Sequence, residues 1–316
     1  MTQTQTTANR QIARAAGTVM FAFVLSNLTG LARQMLMYDR FGTTGEMDAF
    51  NIANQVSETL FTLVAGGALG SAFIPTFTGL LVHDDRKSAW KLASALANLI
   101  LLILTAAAAL AAVFAREIVH YGIATGFASD PAKEALAVSL LRLMLPSAVI
   151  FGLSGLVMGI LNSHQVFLVP ALAPSMYQLG LIFGVVVLSR TMGIFGLAWG
   201  VLIGASLHLA LQLPALFRKG IRYIPTLGFG FAPLWEVIRL MGPRFLGVAV
   251  VQINFWVNKN LASLQVEGSI SAIEAAFRLM MMPQIAIAQS IATAAMPTYS
   301  EQVARGRLDE MRVSLA

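Results

Sequence analysis

Eight apolar stretches, each about long enough to cross a bilayer, set the strongest limit on how this chain can fold. They run approximately over residues 12–37, 50–81, 89–114, 135–161, 167–188, 194–216, 242–264 and 272–296. A hydrocarbon core about 30 Å thick is spanned by about 20 mostly apolar helical residues. None of the stretches alternates with period two, as the strands of a membrane barrel do. The expected fold is all-α, a polytopic transmembrane bundle of about eight helices. With 57% hydrophobic and only 11% charged residues, water cannot be the main solvent, because soluble domains carry about a quarter charged residues.

The first stretch follows Arg10 and Arg14 and is too long for the apolar region of a secretory signal, so it reads as a retained helix. A cytoplasmic amino terminus puts Arg86, Lys87, Lys91, Arg218, Lys219, Arg222, Arg239, Arg305, Arg307 and Arg312 on the cytoplasmic side. It leaves Arg40, Arg116, Lys133 and Arg190 outside. An even number of spans then returns the carboxyl terminus to the cytoplasm, with 300–312 as a polar amphipathic tail. The net charge of +6 flanks apolar runs and does not form a basic face with interleaved aromatics, which argues against nucleic acid as a partner.

Pro225, Gly228, Gly230 and Pro233 mark 218–234 as an exposed cytoplasmic linker. It divides an amino-terminal lobe of about six helices, 1–217, from 235–316, which reads as the start of a second lobe with about two helices and a polar tail. Ala72-Phe73-Ile74-Pro75-Thr76-Phe77 is echoed by Ala294-Ala295-Met296-Pro297-Thr298-Tyr299, as in transporters built from repeats.

Charges inside apolar helices cost at least about 2.5–3.5 kcal/mol at the bilayer centre, so they should face a wet cavity or a partner. Arg33 can snorkel to the outer interface or bind an anion bidentately. Asp48 can cap the second helix or face a cavity. Glu58, with Leu60, Phe61, Leu63 and Val64 nearby in sequence, reads as cavity-facing or as a protonated buried acid. Lys259, between Asn258 and Asn260, is a snorkelling cation or a second point charge for an anion. Glu274 and Arg278 have the spacing of an intrahelical ion pair. Arg142 and Arg244 read as interface anchors.

Several chemistries find no support. Gly66-Gly67-Ala68-Leu69-Gly70 lacks the Gly-Lys-Ser/Thr of a phosphate loop and suits close helix packing. The four histidines are far apart, the chain has no cysteine, and no nucleophile elbow is present. No catalytic role, metal or cofactor is expected.

Ser26-Asn27-Leu28-Thr29-Gly30-Leu31-Ala32-Arg33, Arg40-Phe41-Gly42, Asp48-Ala49-Phe50 and Gly67-Ala68-Leu69-Gly70-Ser71-Ala72-Phe73-Ile74-Pro75 together resemble the opening of MurJ/MviN proteins. Gly159-Ile160-Leu161-Asn162, Pro170-Ala171-Leu172-Ala173-Pro174, Gln212-Leu213-Pro214, Met241-Gly242-Pro243 and Arg278-Leu279-Met280 extend the resemblance along the chain. It implies a transporter of the multidrug/oligosaccharidyl-lipid/polysaccharide exporter superfamily. Such a protein moves lipid II, the undecaprenyl-pyrophosphate-linked peptidoglycan precursor, to the outer leaflet of the bacterial cytoplasmic membrane by alternating access of two six-helix lobes. It also implies Arg33, Asp48 and Arg278 as cavity residues, a coupling ion, contact with membrane lipids, and a carboxyl-terminal half beyond this sequence. Asn27, Phe61 and Thr62 stand where the family usually has arginines, and Gly66 where it has an acid. Lys259 is the candidate to compensate. The alternatives are an exporter of other lipid-linked oligosaccharides, a cation-coupled drug exporter of the same superfamily, and a non-transporting membrane scaffold.

Overall fold

A computed structural model describes residues 3–64 and 68–281. The described residues are helical from Gln3. Helix α1 spans Gln3–Phe41, α2 Gly45–Val64, α3 Ala68–Val82 and α4 Arg86–Val113. A short stretch of tight and wide helical turns, Ala115–Ser129, leads into α5, Pro131–Ser163. Helices α6, Leu168–Met192, and α7, Ile194–Arg218, follow. An extended segment, 219–231, precedes α8, Ala232–Ser263, and helix α9 occupies 269–281. There is no strand among the described residues. The first seven apolar stretches fall on helices where they are described, the second divided between α2 and α3, and the described part of the eighth, 272–281, lies on α9.

Helices α4 to α7 are long and apolar enough to cross a membrane, so the chain is a multi-pass membrane protein. Helices α2 and α8 carry more polar residues, and those residues form the site described below. The second half of the pseudo-repeat (294–299), the polar tail and the glycines at 66–67 lie outside the described residues.

Local chemistry explains the helix ends. Asp85 accepts from the Ser88 amide at 3.0 Å and caps α4. Asp130 accepts from the Ala132 and Lys133 amides at 3.1 Å, just before a proline whose fixed φ suits a first helical turn. Gly193, at φ +56°, makes the turn between α6 and α7.

The chain divides into two compact units, 1–269 and 270–316. In the first, a core of Phe73, Phe77, Trp90, Leu96, Leu156 and Ile160 joins α3, α4 and α5 and takes in Leu234 and Val237 of α8. Phe77 packs its ring against Phe73 at 4.9 Å and against Trp90 at 6.0 Å. Helices α6 and α7 meet through glycines. A Cβ on Gly184 would lie 2.6 Å from the Gly196 carbonyl oxygen and 2.8 Å from the Gly200 Cα. Small residues spaced by four let these backbones touch, the packing that operates in lipid, where apolar burial does not favour one helix over another. In the second unit, the described residues 270–281 continue α9.

Candidate functional site

The polar residues of α2 lie in rows four apart. Asn51, Gln55 and Thr59 are buried along one row, while Asn54, Glu58 and Thr62 form another. Helix α8 runs antiparallel to α2 and meets the buried row with a polar row of its own. Gln55 Nε2 donates to Gln252 Oε1 at 3.2 Å, and the Thr59 hydroxyl donates to the same oxygen at 3.1 Å. Trp256 Nε1 donates to the Thr59 hydroxyl oxygen at 2.9 Å. Lys259 Nζ reaches the Asn51 carbonyl oxygen at 3.3 Å.

Past the carboxyl end of α8 the seam continues into backbone contacts. The Gly268 amide donates to Asp48 Oδ2 at 2.8 Å, and the Gly45 amide donates to Glu267 Oε1 at 2.6 Å. Gly268 has φ +85°, and a Cβ there would run into the Thr43 carbonyl, so a side chain would push this loop off the start of α2. Asn260 Oδ1 accepts from the Thr125 hydroxyl at 2.6 Å and from its amide at 3.1 Å, while Ser263 Oγ accepts from the Gly126 amide at 3.0 Å. The carboxyl-terminal half of α8 is thus tied to two neighbouring segments by polar groups, each of which could exchange its partner for water.

The expected site residues take these positions. Arg33 is buried at 7% exposure, eight residues before the end of α1, and its Nη2 donates to Gln34 Oε1 at 3.1 Å. The helix runs on past Met37 to Phe41, and the Arg33 side chain is buried where a snorkelling one would be exposed. Nearby Gly30 sits close to Gln178 of α6. Asp48 is also buried, but it does not cap α2. The helix begins at Gly45, and the Asp48 carboxylate accepts from Lys133 Nζ at 3.1 Å as well as from the Gly268 amide. Lys133 in turn lies 4.5 Å above the Phe127 ring.

Glu58 is exposed, which overturns the reading of a buried protonated acid. Its apolar neighbours in sequence point elsewhere on the helix, and its neighbours on the same face are Asn54 and Thr62. Lys259 reaches the α2 backbone. Within the second unit, Glu274 and Arg278 form the intrahelical pair at 2.9 Å. Arg142 donates from Nε to the Ala112 carbonyl at the end of α4, at 2.9 Å.

The structure thus brings Asp48 and Lys259 to one end of the α2–α8 seam, and Glu58 lies farther along α2 on a different face. It also shows groups that the sequence reading did not single out. Gln55, Thr59, Gln252 and Trp256 form the middle of the seam. Glu134, buried beside Lys133, is held by Arg116 at 3.1 Å and by His120 at 2.8 Å. The four-residue spacing of Asn51, Gln55 and Thr59 was a usable signal for the seam. Nothing local pointed to partners almost 200 residues away.

The family model described as lipid II flippase MurJ matches residues 37–316. The lipid II flippase MurJ of Burkholderia cenocepacia is 31% identical over 299 residues, covering 91% of this chain and 57% of the relative. A probable lipid II flippase MurJ of Bdellovibrio bacteriovorus is 32% identical over 311 residues, covering 94% and 57%. Among solved structures, a lipid II flippase MurJ in an inward closed conformation superimposes with a TM-score of 0.77 at 29% identity, over 90% of this chain and 58% of that one. A MOP superfamily transporter from Pyrococcus furiosus, at 19% identity and TM-score 0.64 over 86% and 60%, shares the fold. The chain spans little more than half the length of these proteins. By the extent of the family match and the identity to these relatives, it belongs to the MurJ lipid II flippase family.

Proposed function

We propose that this chain is the amino-terminal part of a flippase that moves lipid II from the inner to the outer leaflet of the bacterial cytoplasmic membrane, with both termini in the cytoplasm. The reading rests chiefly on Arg33. A guanidinium built into an apolar bundle at a position matching the family motif offers fixed donors to a pyrophosphate that has left water. Arg278 is a further phosphate ligand and Glu58 a cavity-facing acid. Asp48 and Lys259 hold α2 in place through the contacts described above, and Glu274 holds Arg278 within the second unit. The division into a lobe at 1–217, a linker at 218–234 and the start of a second lobe at 235–316 belongs to the same proposal. Transport then requires α8 to part from α2 at its outer end, and the exchangeable hydrogen bonds of that seam suit such a movement.

The protein catalyses no bond making or breaking in this reading, and a coupling ion would drive the cycle. Native mass spectrometry in detergent tests it. Lipid II should be retained in preference to other undecaprenyl-linked glycans, and Arg33→Ala combined with Arg278→Ala should abolish the preference. Equal retention of all head groups would favour an exporter of other lipid-linked oligosaccharides.

A further inference from the structure

The linker expected at 218–234 is exposed at most of its positions, and its extended part, 219–231, is also tied down along α4. The Ile224 amide donates to Ser94 Oγ at 3.0 Å, and Asn98 Nδ2 donates to the Thr226 carbonyl at 2.8 Å. The Tyr223 hydroxyl donates to Asn98 Oδ1 at 2.8 Å, and Lys91 Nζ lies 4.7 Å above the Phe231 ring. Trp235 Nε1 donates to the Phe229 carbonyl at 2.8 Å, which fixes the far end of the strap to the start of α8.

The depth of this strap follows from α4. The far end of that helix is marked by exposed Val113 and Phe114, with Leu101, Leu102, Ile103 and Leu110 exposed along its length. A hydrocarbon core takes about 20 helical residues, and 20 residues counted back from Phe114 end at Ala95, between the strap's contacts at Ser94 and Asn98. The strap is therefore bonded to α4 where hydrocarbon gives way to headgroups. At that level it exposes Tyr223 (62%) and Phe229 (60%). Arg218, Lys219 and Arg222 are exposed beside them, and the sequence from Leu213 to Trp235 contains no acidic residue. Aromatic rings with cations at an interface match an anionic lipid surface, the rings lying among the headgroups and the cations on the phosphates.

We infer that the strap is an interfacial anchor that binds anionic phospholipid headgroups of the cytoplasmic leaflet. The inference rests on the proposed orientation, but not on lipid II as substrate. The absence of native cysteine makes a direct test simple. A nitroxide on Phe229→Cys is compared with labels on Leu102→Cys in the hydrocarbon and His83→Cys in water, using vesicles of phosphatidylcholine with and without phosphatidylglycerol. The Phe229→Cys label should show intermediate accessibility to an aqueous nickel complex, lower when phosphatidylglycerol is present.

Changing Arg218, Lys219 and Arg222 to Gln should remove that dependence and weaken phosphatidylglycerol retention in native mass spectra about fivefold per cation. Water-like accessibility at Phe229→Cys overturns the inference, as does protection indifferent to phosphatidylglycerol or retention unchanged in the Gln variant. Failure of the membrane assignment itself would show separately, as a water-like Leu102→Cys label.

Discussion

Two helix seams in this molecule are built on opposite principles. Between α6 and α7, glycines bring two backbones into contact with no side chain between them. Between α2 and α8, glutamine, threonine, tryptophan and lysine bridge the gap through hydrogen bonds that water could replace. Van der Waals contact at such short range is lost all at once when helices separate, so a glycine seam is suited to stay closed. A polar seam loses little on opening into a wet cavity, because its groups find water. Under the proposed function, the contrast makes the α6–α7 pair the frame and the α2–α8 pair the moving part.

Removing the Asp48 carboxylate should have the largest effect. Its partner Lys133 is mostly buried, and an ion pair broken on one side typically costs about 3–5 kcal/mol because the remaining charge is stranded. Asp48→Ala should lower the unfolding midpoint in detergent accordingly, and adding Lys133→Met should recover much of the loss. If the double variant were no more stable than the single one, the pair would not be what joins α2 to α5. Next in size is Gly184→Ala, where the added methyl meets backbone and should cost about 1–3 kcal/mol. A neutral result would mean the glycine seam has slack.

Gln252→Ala removes one acceptor from the polar seam and should cost less, about 0.6 kcal/mol and at most about 1.7, the range found for hydrogen bonds between membrane helices. A larger loss than that of Gly184→Ala would reverse the contrast between the two seams. The smallest effect is expected at the α4 cap. The Ser88 hydroxyl and amide hold the Asp85 carboxyl below its ordinary value. A carboxyl with a depressed folded-state pKa contributes its stability above the unfolded value and loses it as pH falls through the folded one. Amide protection factors in the first turn of α4, taken relative to intrinsic exchange, should therefore fall on acidification below the ordinary Asp range, and Asp85→Ala should make them low and independent of pH.

The helices were legible because an apolar run long enough to cross a bilayer leaves few other options. The glycine seam was equally open to reading, since Gly180 and Gly184 face Gly196, Gly200 and Gly204 at four-residue spacing. The buried-acid alternative for Glu58 fails because its apolar neighbours are adjacent in sequence but not on the same face of the helix. Its exposure follows from Asn54 and Thr62, one turn away on either side. The capping role considered for Asp48 depended on where α2 begins, and a start at Gly45 turns the carboxylate toward Lys133, 85 residues away. The strap was hidden by its own composition. Proline and glycine announce a loop but do not show what it lies on, and the hydroxyl and amide groups of Ser94 and Asn98 are unremarkable within α4.

The most direct test of the account is to hold the polar seam shut. Gln55→Cys and Gln252→Cys, introduced into a chain without other cysteines, can be joined by a short bifunctional methanethiosulfonate. The account predicts that lipid II still binds the linked protein, that its movement between leaflets falls to background, and that a reducing agent restores it. Undiminished movement with the link in place would contradict the assignment of this seam to the moving part.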